Sequence, residues 1–219
     1  MKKLGRWALA LAAMTALPAL GAERDCYVGA LIAGSVGMSK HHNSSGAPLT
    51  DDFDLKGGAA GGLVGCVWKA NQNGYGVEAD FSGLKIKGST PQIAPFDTTV
   101  TAKTELDRMA TVRGVLGYQT LPDWFVYGTA GIATANATVS ACPASGAACG
   151  SEEKRIWGLT GGVGAEYAMS QNLRLRLEYL YVGFDKTKFM DPPPAGFDDR
   201  GGGVEADLHF FRAGLTLHF

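Results

Sequence analysis

Between Asn172 and Asp185 apolar and polar side chains alternate with a period of two. Leu173, Leu175, Leu177, Tyr179 and Tyr181 fall on one face, and Arg174, Arg176 and Glu178 on the other. Successive side chains of a strand point to opposite sides, so this spacing predicts a strand with one apolar and one charged face. A helix would scatter the same charges around its circumference. The final segment, Glu205 to Phe219, alternates less cleanly. It sets Phe211, Ala213, Leu215, Leu217 and Phe219 against Arg212, Gly214, Thr216 and His218. Three earlier segments behave alike. Tyr75, Val77, Ala79 and Phe81 oppose Glu78, Asp80 and Ser82; Val112, Leu116 and Tyr118 oppose Arg113; Trp157, Leu159, Val163, Ala165 and Tyr167 oppose Thr160 and Glu166. Weaker signals over Cys26–Met38, Lys56–Lys69 and Trp124–Val139 bring the expected strands to eight.

The connections alternate in length. Ala70-Asn71-Gln72, Thr120-Leu121-Pro122-Asp123 and Ser170-Gln171 are short. The stretches 39–55, 87–103, 140–153 and 186–204 are long and rich in Gly, Pro, Ser, Asp and Asn. An even number of strands, with tight turns at one end and long loops at the other, is the organisation of an antiparallel transmembrane β-barrel. Aromatics near the strand ends (Trp68, Tyr75, Tyr118, Trp124, Trp157, Tyr167, Tyr179 and Phe219) stand where interfacial girdles belong. A soluble eight-stranded barrel or sandwich with an apolar interior is the competing reading, since its charged face would also meet water.

Composition fits the membrane reading. Only 19% of residues are charged and 31 of 219, about 14%, are glycine, against about 25% and 7% in ordinary soluble domains. A net charge of −1 offers no basic footprint for nucleic acid. At the N-terminus Met1-Lys2-Lys3 and Arg6 precede an uncharged run from Trp7 to Ala22 that ends in small residues. That is the pattern of a secretory signal peptide. We expect residues 1–22 to be cleaved on Sec-dependent export, leaving 23–219 as one barrel domain.

Several sequence blocks resemble the small alphaproteobacterial outer-membrane barrels, the 25/31-kDa or opacity-type porin family of the OmpA-like superfamily. They are Val112-Arg113-Gly114-Val115-Leu116-Gly117-Tyr118, Trp124-Phe125-Val126-Tyr127-Gly128-Thr129-Ala130-Gly131, Gly162-Val163-Gly164-Ala165-Glu166-Tyr167 and the closing Arg212-Ala213-Gly214-Leu215-Thr216-Leu217-His218-Phe219. The resemblance covers nearly the whole mature chain and implies short periplasmic turns, four long extracellular loops and periplasmic termini. It also implies that Phe219 belongs to the signal read by the barrel-assembly machinery, with periplasmic chaperones as further partners during biogenesis. Outer-membrane lipids and lipopolysaccharide are the expected surroundings of a monomer. Cys26 stands where relatives carry an aromatic, and the Cys142/Cys149 loop is no family hallmark.

The lumen-facing charges on this reading are Glu78, Asp80, Arg113, Glu166, Arg174, Arg176, Glu178 and Arg212, four of each sign. Eight strands enclose only enough space for side chains, and an unpaired buried charge is costly. A salt-bridged plug is therefore expected, with a charged selectivity filter as the alternative. Secretion and close spacing predict a Cys142–Cys149 disulfide, and a hairpin centred near residue 46 would bring Cys26 opposite Cys66. His41-His42 in the first long stretch is expected to be solvated, with a haemin or metal contact as the alternative. His209 with Ser39 or Ser82 forms no hydrolase motif. No catalytic residue, metal site or cofactor is expected. The function expected is structural, in envelope integrity and loop presentation; a small-solute porin and a surface ligand binder or adhesin are the rivals.

Overall fold

A computed structural model describes residues 23–42, 47–94, 98–143, 149–188 and 203–219. The expected signal segment, 1–22, lies outside the described residues. Eight strands run in chain order: β1 Glu23–His41, β2 Phe53–Ala70, β3 Asn73–Pro91, β4 Val100–Leu121, β5 Trp124–Pro143, β6 Gly150–Ala168, β7 Leu173–Lys188 and β8 Gly203–His218. Each pairs antiparallel with its sequence neighbours, and β1 pairs with β8 from Tyr27↔His218 to His41↔Val204, so the sheet closes on itself. Closure leaves no unpaired strand edge, which is the condition for placing a sheet in lipid.

The strands run beyond the expected segments, and the long connections shrink accordingly. β1 continues to His41, β3 to Pro91, β5 to Pro143 and β7 to Lys188, while β2, β4, β6 and β8 begin at Phe53, Val100, Gly150 and Gly203. The ends of 39–55, 87–103, 140–153 and 186–204 are therefore strand rather than loop. The physical reason is a reversal of polarity part-way up the wall. At the short-turn end the outward side chains are apolar and the inward ones charged. At the long-connection end the outward side chains are charged and the inward ones apolar. On β8, Arg212, Thr216 and His218 point inward below, but Val204, Ala206, Leu208 and Phe210 point inward above; Glu205 and Asp207 face out beside them. β3 changes between Ser82 and Leu84, and β7 between Glu178 and Leu180.

The outward apolar stretch covers 75–83 on β3, 124–132 on β5 and 211–219 on β8. Those lengths match the roughly 9–11 residues that cross a bilayer as a tilted strand. The remaining turn of wall stands above it with an ordinary hydrophobic core: Leu55, Ile86, Leu106, Val139, Ile156, Leu180, Val182, Leu208 and Phe210 pack together inside. A bulge on β4 between Leu106 and Arg108 sets Asp107 and Arg108 both outward and shifts the alternation by one residue.

The tight turns follow local chemistry. Asn71 takes φ 56°, the left-handed region that asparagine tolerates better than most side chains. Both expected disulfides are formed. Cys26 and Cys66 face each other across β1 and β2 with Cα atoms 4.0 Å apart, and Cys142 and Cys149 join the ends of β5 and β6 at 4.4 Å. Cys26–Cys66 spans 40 residues near the β1–β8 seam. Its removal in Cys26→Ser/Cys66→Ser is expected to lower stability by about 3–4 kcal/mol. The urea midpoint of the refolded barrel, compared with and without reductant, measures this.

Candidate functional site in the barrel lumen

The inward positions of the lower wall build one enclosed polar layer. Arg113 of β4 sits at its centre and is almost fully buried. Its guanidinium donates to Glu178 of β7 and Glu78 of β3, and to Asp80 Oδ2 at 3.0 Å. Arg176 of β7 donates to Glu78 and reaches Glu178 Oε2 at 2.8 Å, and its guanidinium lies 4.6 Å from the ring centre of Tyr127. Arg212 of β8 closes the ring, 3.3 Å from Asp80 and 3.5 Å from Glu178. Two tyrosines cap the carboxylates: Tyr27 donates to Glu78 at 2.8 Å and Tyr127 to Glu178 at 3.0 Å. Thr111 donates to Asp80. Each carboxylate thus accepts from more than one donor, which makes a buried ion cluster tolerable.

A second tier lies at the short-turn mouth. Asp25 of β1 takes Lys69 at 2.7 Å, Arg174 at 2.8 Å and His218 Nδ1 at 2.7 Å. Glu166 links the tiers, 3.4 Å from Arg174 and 3.7 Å from Arg176. Between and around the tiers pack Tyr27, Leu31, Leu63, Val67, Val115, Phe125 and Tyr127.

All eight charges singled out in the sequence therefore point inward, but they form two tiers rather than one. Arg174 belongs to the mouth, not to the central cluster. Asp25, Lys69, Tyr27 and Tyr127 were missed by the sequence reading. Asp25 keeps the parity of Tyr27 and Leu31, yet it stands where charge returns after the signal segment and reads there as a flank.

Inward glycines leave room for the large rings. A Cβ on Gly65 would come within 2.6 Å of the Tyr27 ring. Gly65→Ala is expected to displace Tyr27 from Glu78 and cost about 1–3 kcal/mol, measured as a lowered unfolding midpoint. Two gaps beside the cluster are about 10 Å³ each, one lined by Asp25, Tyr27 and Arg174, the other by Arg176, Glu178 and Arg212. Such volumes hold no more than about one water. Above the cluster the apolar core fills the barrel.

The remaining candidates take other places. His41 is not solvated: it ends β1 pointing inward, buried, with Nε2 2.8 Å from Thr104 Oγ1 and its ring edge-on to Phe53. The reversal that puts β1's upper half inside an apolar core carries it there. His42 follows in a bridge to Pro48. His209 faces outward and meets the Tyr179 hydroxyl at 2.7 Å, whereas Ser39 and Ser82 are buried on the inner face, so the wall separates them. Among the described residues no three His, Cys, Asp or Glu side chains converge on a metal site. Phe219 lies outward at the seam, its N–H donating to the Cys26 carbonyl at 2.9 Å.

Residues 7–219 match the outer membrane protein beta-barrel domain family. The 31 kDa outer-membrane immunogenic protein of Brucella melitensis is 32% identical over 206 residues, covering 88% of this chain and 82% of that protein. The 22 kDa outer membrane protein of Rhizobium leguminosarum is 30% identical over 129 residues, 58% of this chain and 53% of its own. Among solved structures, the outer membrane protein OprG of Pseudomonas aeruginosa aligns over 90% of this chain and 97% of its own, with a TM-score of 0.54 at 12% identity, a likeness of fold. With an outward apolar band of bilayer height, a closed sheet and these relatives, the chain belongs to the outer membrane protein beta-barrel domain family, and its place is the outer membrane of a Gram-negative bacterium.

Proposed function

We propose that this barrel is a structural, non-enzymatic component of the outer membrane that holds a sealed lumen and presents its four extracellular loops above a raised rim. The observation that carries the reading is the double closure of the interior. The Arg113–Glu78–Glu178–Asp80–Arg176–Arg212 cluster fills the membrane level, and the Leu180/Leu208/Phe210 core fills the level above. A solute would have to part both. The small-solute porin is the weaker reading for that reason.

The upper wall also explains how loops can be presented rigidly. Strands continue well past the lipid-facing band, and the Cys142–Cys149 bridge ties the tips of β5 and β6. On this reading the protein works as a monomer among lipids and lipopolysaccharide, and the outward Phe219 at the seam supports its use by the assembly machinery. A strain lacking the protein is expected to become more sensitive to detergents and large antibiotics. A version with all four loops cut to short turns should restore resistance, because the sealed barrel remains. Unchanged resistance on deletion, or restoration only by full-length loops, would refute the structural role.

A further inference from the structure

One strand pair of the wall has almost no side chains to fix its register across its middle. Of the nine residues 57–65 on β2, five are glycine and two are alanine. From Ala30 to Ser35 every β1 residue faces one of them: Ala30↔Gly62, Leu31↔Gly61, Ile32↔Ala60, Ala33↔Ala59, Gly34↔Gly58 and Ser35↔Gly57. Cross-strand side-chain pairs specify a register, and glycine-rich strands are prone to slip. The connection, residues 42–52, is too long to fix the pairing as a two-residue turn does. The other pairs joined by long connections carry pins of their own. Glu78↔Arg113 and Lys87↔Glu105 mark β3–β4, Trp124↔Tyr167 and Asn136↔Arg155 mark β5–β6, and Glu178↔Arg212 and Tyr179↔Phe211 mark β7–β8.

A slip of two residues keeps every side chain on its own face, so alternation does not forbid it. It would ruin the seam. Cys26 exchanges backbone hydrogen bonds with Phe219 at 2.9 and 3.4 Å, and Asp25 beside it holds Lys69, Arg174 and His218. The Tyr27 ring, which lies over Gly65, would meet Leu63 or Val67 instead. Arg174, His218 and Phe219 come from the last strands, so their contacts act only when the barrel closes. A pin that acts earlier has to lie within β1 and β2. Cys26 and Cys66 stand directly opposite each other there, and they are the first two cysteines of the chain.

We propose that the Cys26–Cys66 bond is made before the barrel closes and sets the β1–β2 register, which makes the chain a substrate of a periplasmic dithiol–disulfide oxidase. The thiolate of one cysteine attacks the oxidase disulfide, and one oxidase sulfur leaves as a thiolate. The second cysteine then attacks the mixed disulfide and releases the enzyme. The two thiols of this chain give up two protons and two electrons, and the oxidase disulfide becomes two thiols. The assignment rests on export to the outer membrane and not on whether the lumen is sealed.

The test is refolding of residues 23–219 from urea into lipid vesicles, scored by heat-dependent gel mobility. The reduced chain and Cys26→Ser/Cys66→Ser should give a severalfold lower folded yield than the oxidised wild type. Cys142→Ser/Cys149→Ser, which removes the bridge at the rim, should fold as the wild type does. Reductant added after folding, with cleavage confirmed by mass, should leave the barrel folded, because the closed seam then holds the register. A shifted pair reads the register itself. Oxidised Cys26→Ser/Val28→Cys should bridge position 28 to Cys66 and lose the folded band, and reductant before folding should return it to the yield of Cys26→Ser/Cys66→Ser. In cells lacking the oxidase, chains with both thiols free should stay unassembled. Equal yields from oxidised and reduced chains overturn the proposal. Equal loss whether the bond is cut before or after folding makes it a brace of the finished barrel and overturns it too. So does a shifted pair that stays unbridged and folds normally, an equal loss in the rim variant, or a barrel assembled in cells with Cys26 and Cys66 free.

Discussion

Arg113→Met is expected to cost the barrel about 3–5 kcal/mol. Arg113 donates to Glu178, Glu78 and Asp80 from a fully enclosed position. Deleting it leaves three carboxylates short of a partner where water has no room to enter. Breaking a buried ion cluster by removing one partner carries that magnitude. Methionine preserves volume, so the loss reads charge rather than cavity. A second substitution identifies the cause: Arg113→Met/Glu78→Gln should recover a good part of the stability, because it restores the charge balance and leaves Arg176 its contact with Glu178 and Arg212 its contact with Asp80. Urea unfolding in vesicles, followed by tryptophan fluorescence and gel mobility, reads both. An Arg113→Met barrel as stable as wild type would mean that the carboxylates reach water, as a hydrated filter would allow.

Phe210→Ala is expected to cost about 3–5 kcal/mol, although Phe210 lies one position from a lipid-facing residue. Its side chain fills the barrel above the charge cluster and is 1% exposed, whereas Phe211 points to lipid at 61%. Two residues below Phe210 the inward chain is Arg212; two residues above, it is Leu208. The companion change Glu205→Ala lies on the outward face of the same upper wall, where its contact to Lys186 at 3.6 Å is exposed. It should stay within about 0.5–1 kcal/mol. If the interior at this height were hydrated rather than packed, neither change would matter much. A large loss at Phe210 alone places the hydrophobic core outside the membrane.

That polarity reversal marks the limit of what the sequence discloses. β7 was legible because four apolar and three charged residues alternate without interruption from Leu173 to Tyr179. At the boundary, both faces are briefly apolar. Tyr179-Leu180-Tyr181-Val182 and Phe210-Phe211 break the alternation, and beyond them its sense is inverted. A reading that follows one apolar face loses the strand there and takes the rest for loop. On β4 the Asp107/Arg108 bulge adds a change of parity, so Leu106 and Met109 both face inward although they are three residues apart. β1 and β2 are quiet for another reason. Their lipid-facing positions include Ala30, Gly34, Gly58 and Gly62, which carry little apolar signal.

Eight of the lumen charges were legible from the sequence, four of each sign, because parity alone assigns them inward; Asp25 and Lys69 at the strand ends were not. Their division into two tiers was not, since it depends on the stagger between strands: Glu166 faces Arg176 across β6 and β7, and Asp25 meets Arg174 although 149 residues separate them. The cysteine pairs followed from hairpin arithmetic, and the Cys26↔Cys66 register satisfies it directly. His41 was misplaced because the strand carrying it was thought to end near Met38.

The central claim is the sealed lumen, and single-channel recording tests it most directly. The refolded barrel, inserted into planar bilayers and verified as folded by its heat-dependent gel mobility, is predicted to give a silent trace with no reproducible steps. Arg174→Ala and Phe210→Ala, each removing one part of the interior packing, should remain silent for as long as they remain folded, because the Arg113 cluster still fills the membrane level. Reproducible, ion-selective steps from the folded wild-type protein would contradict the account and make the lumen a pathway.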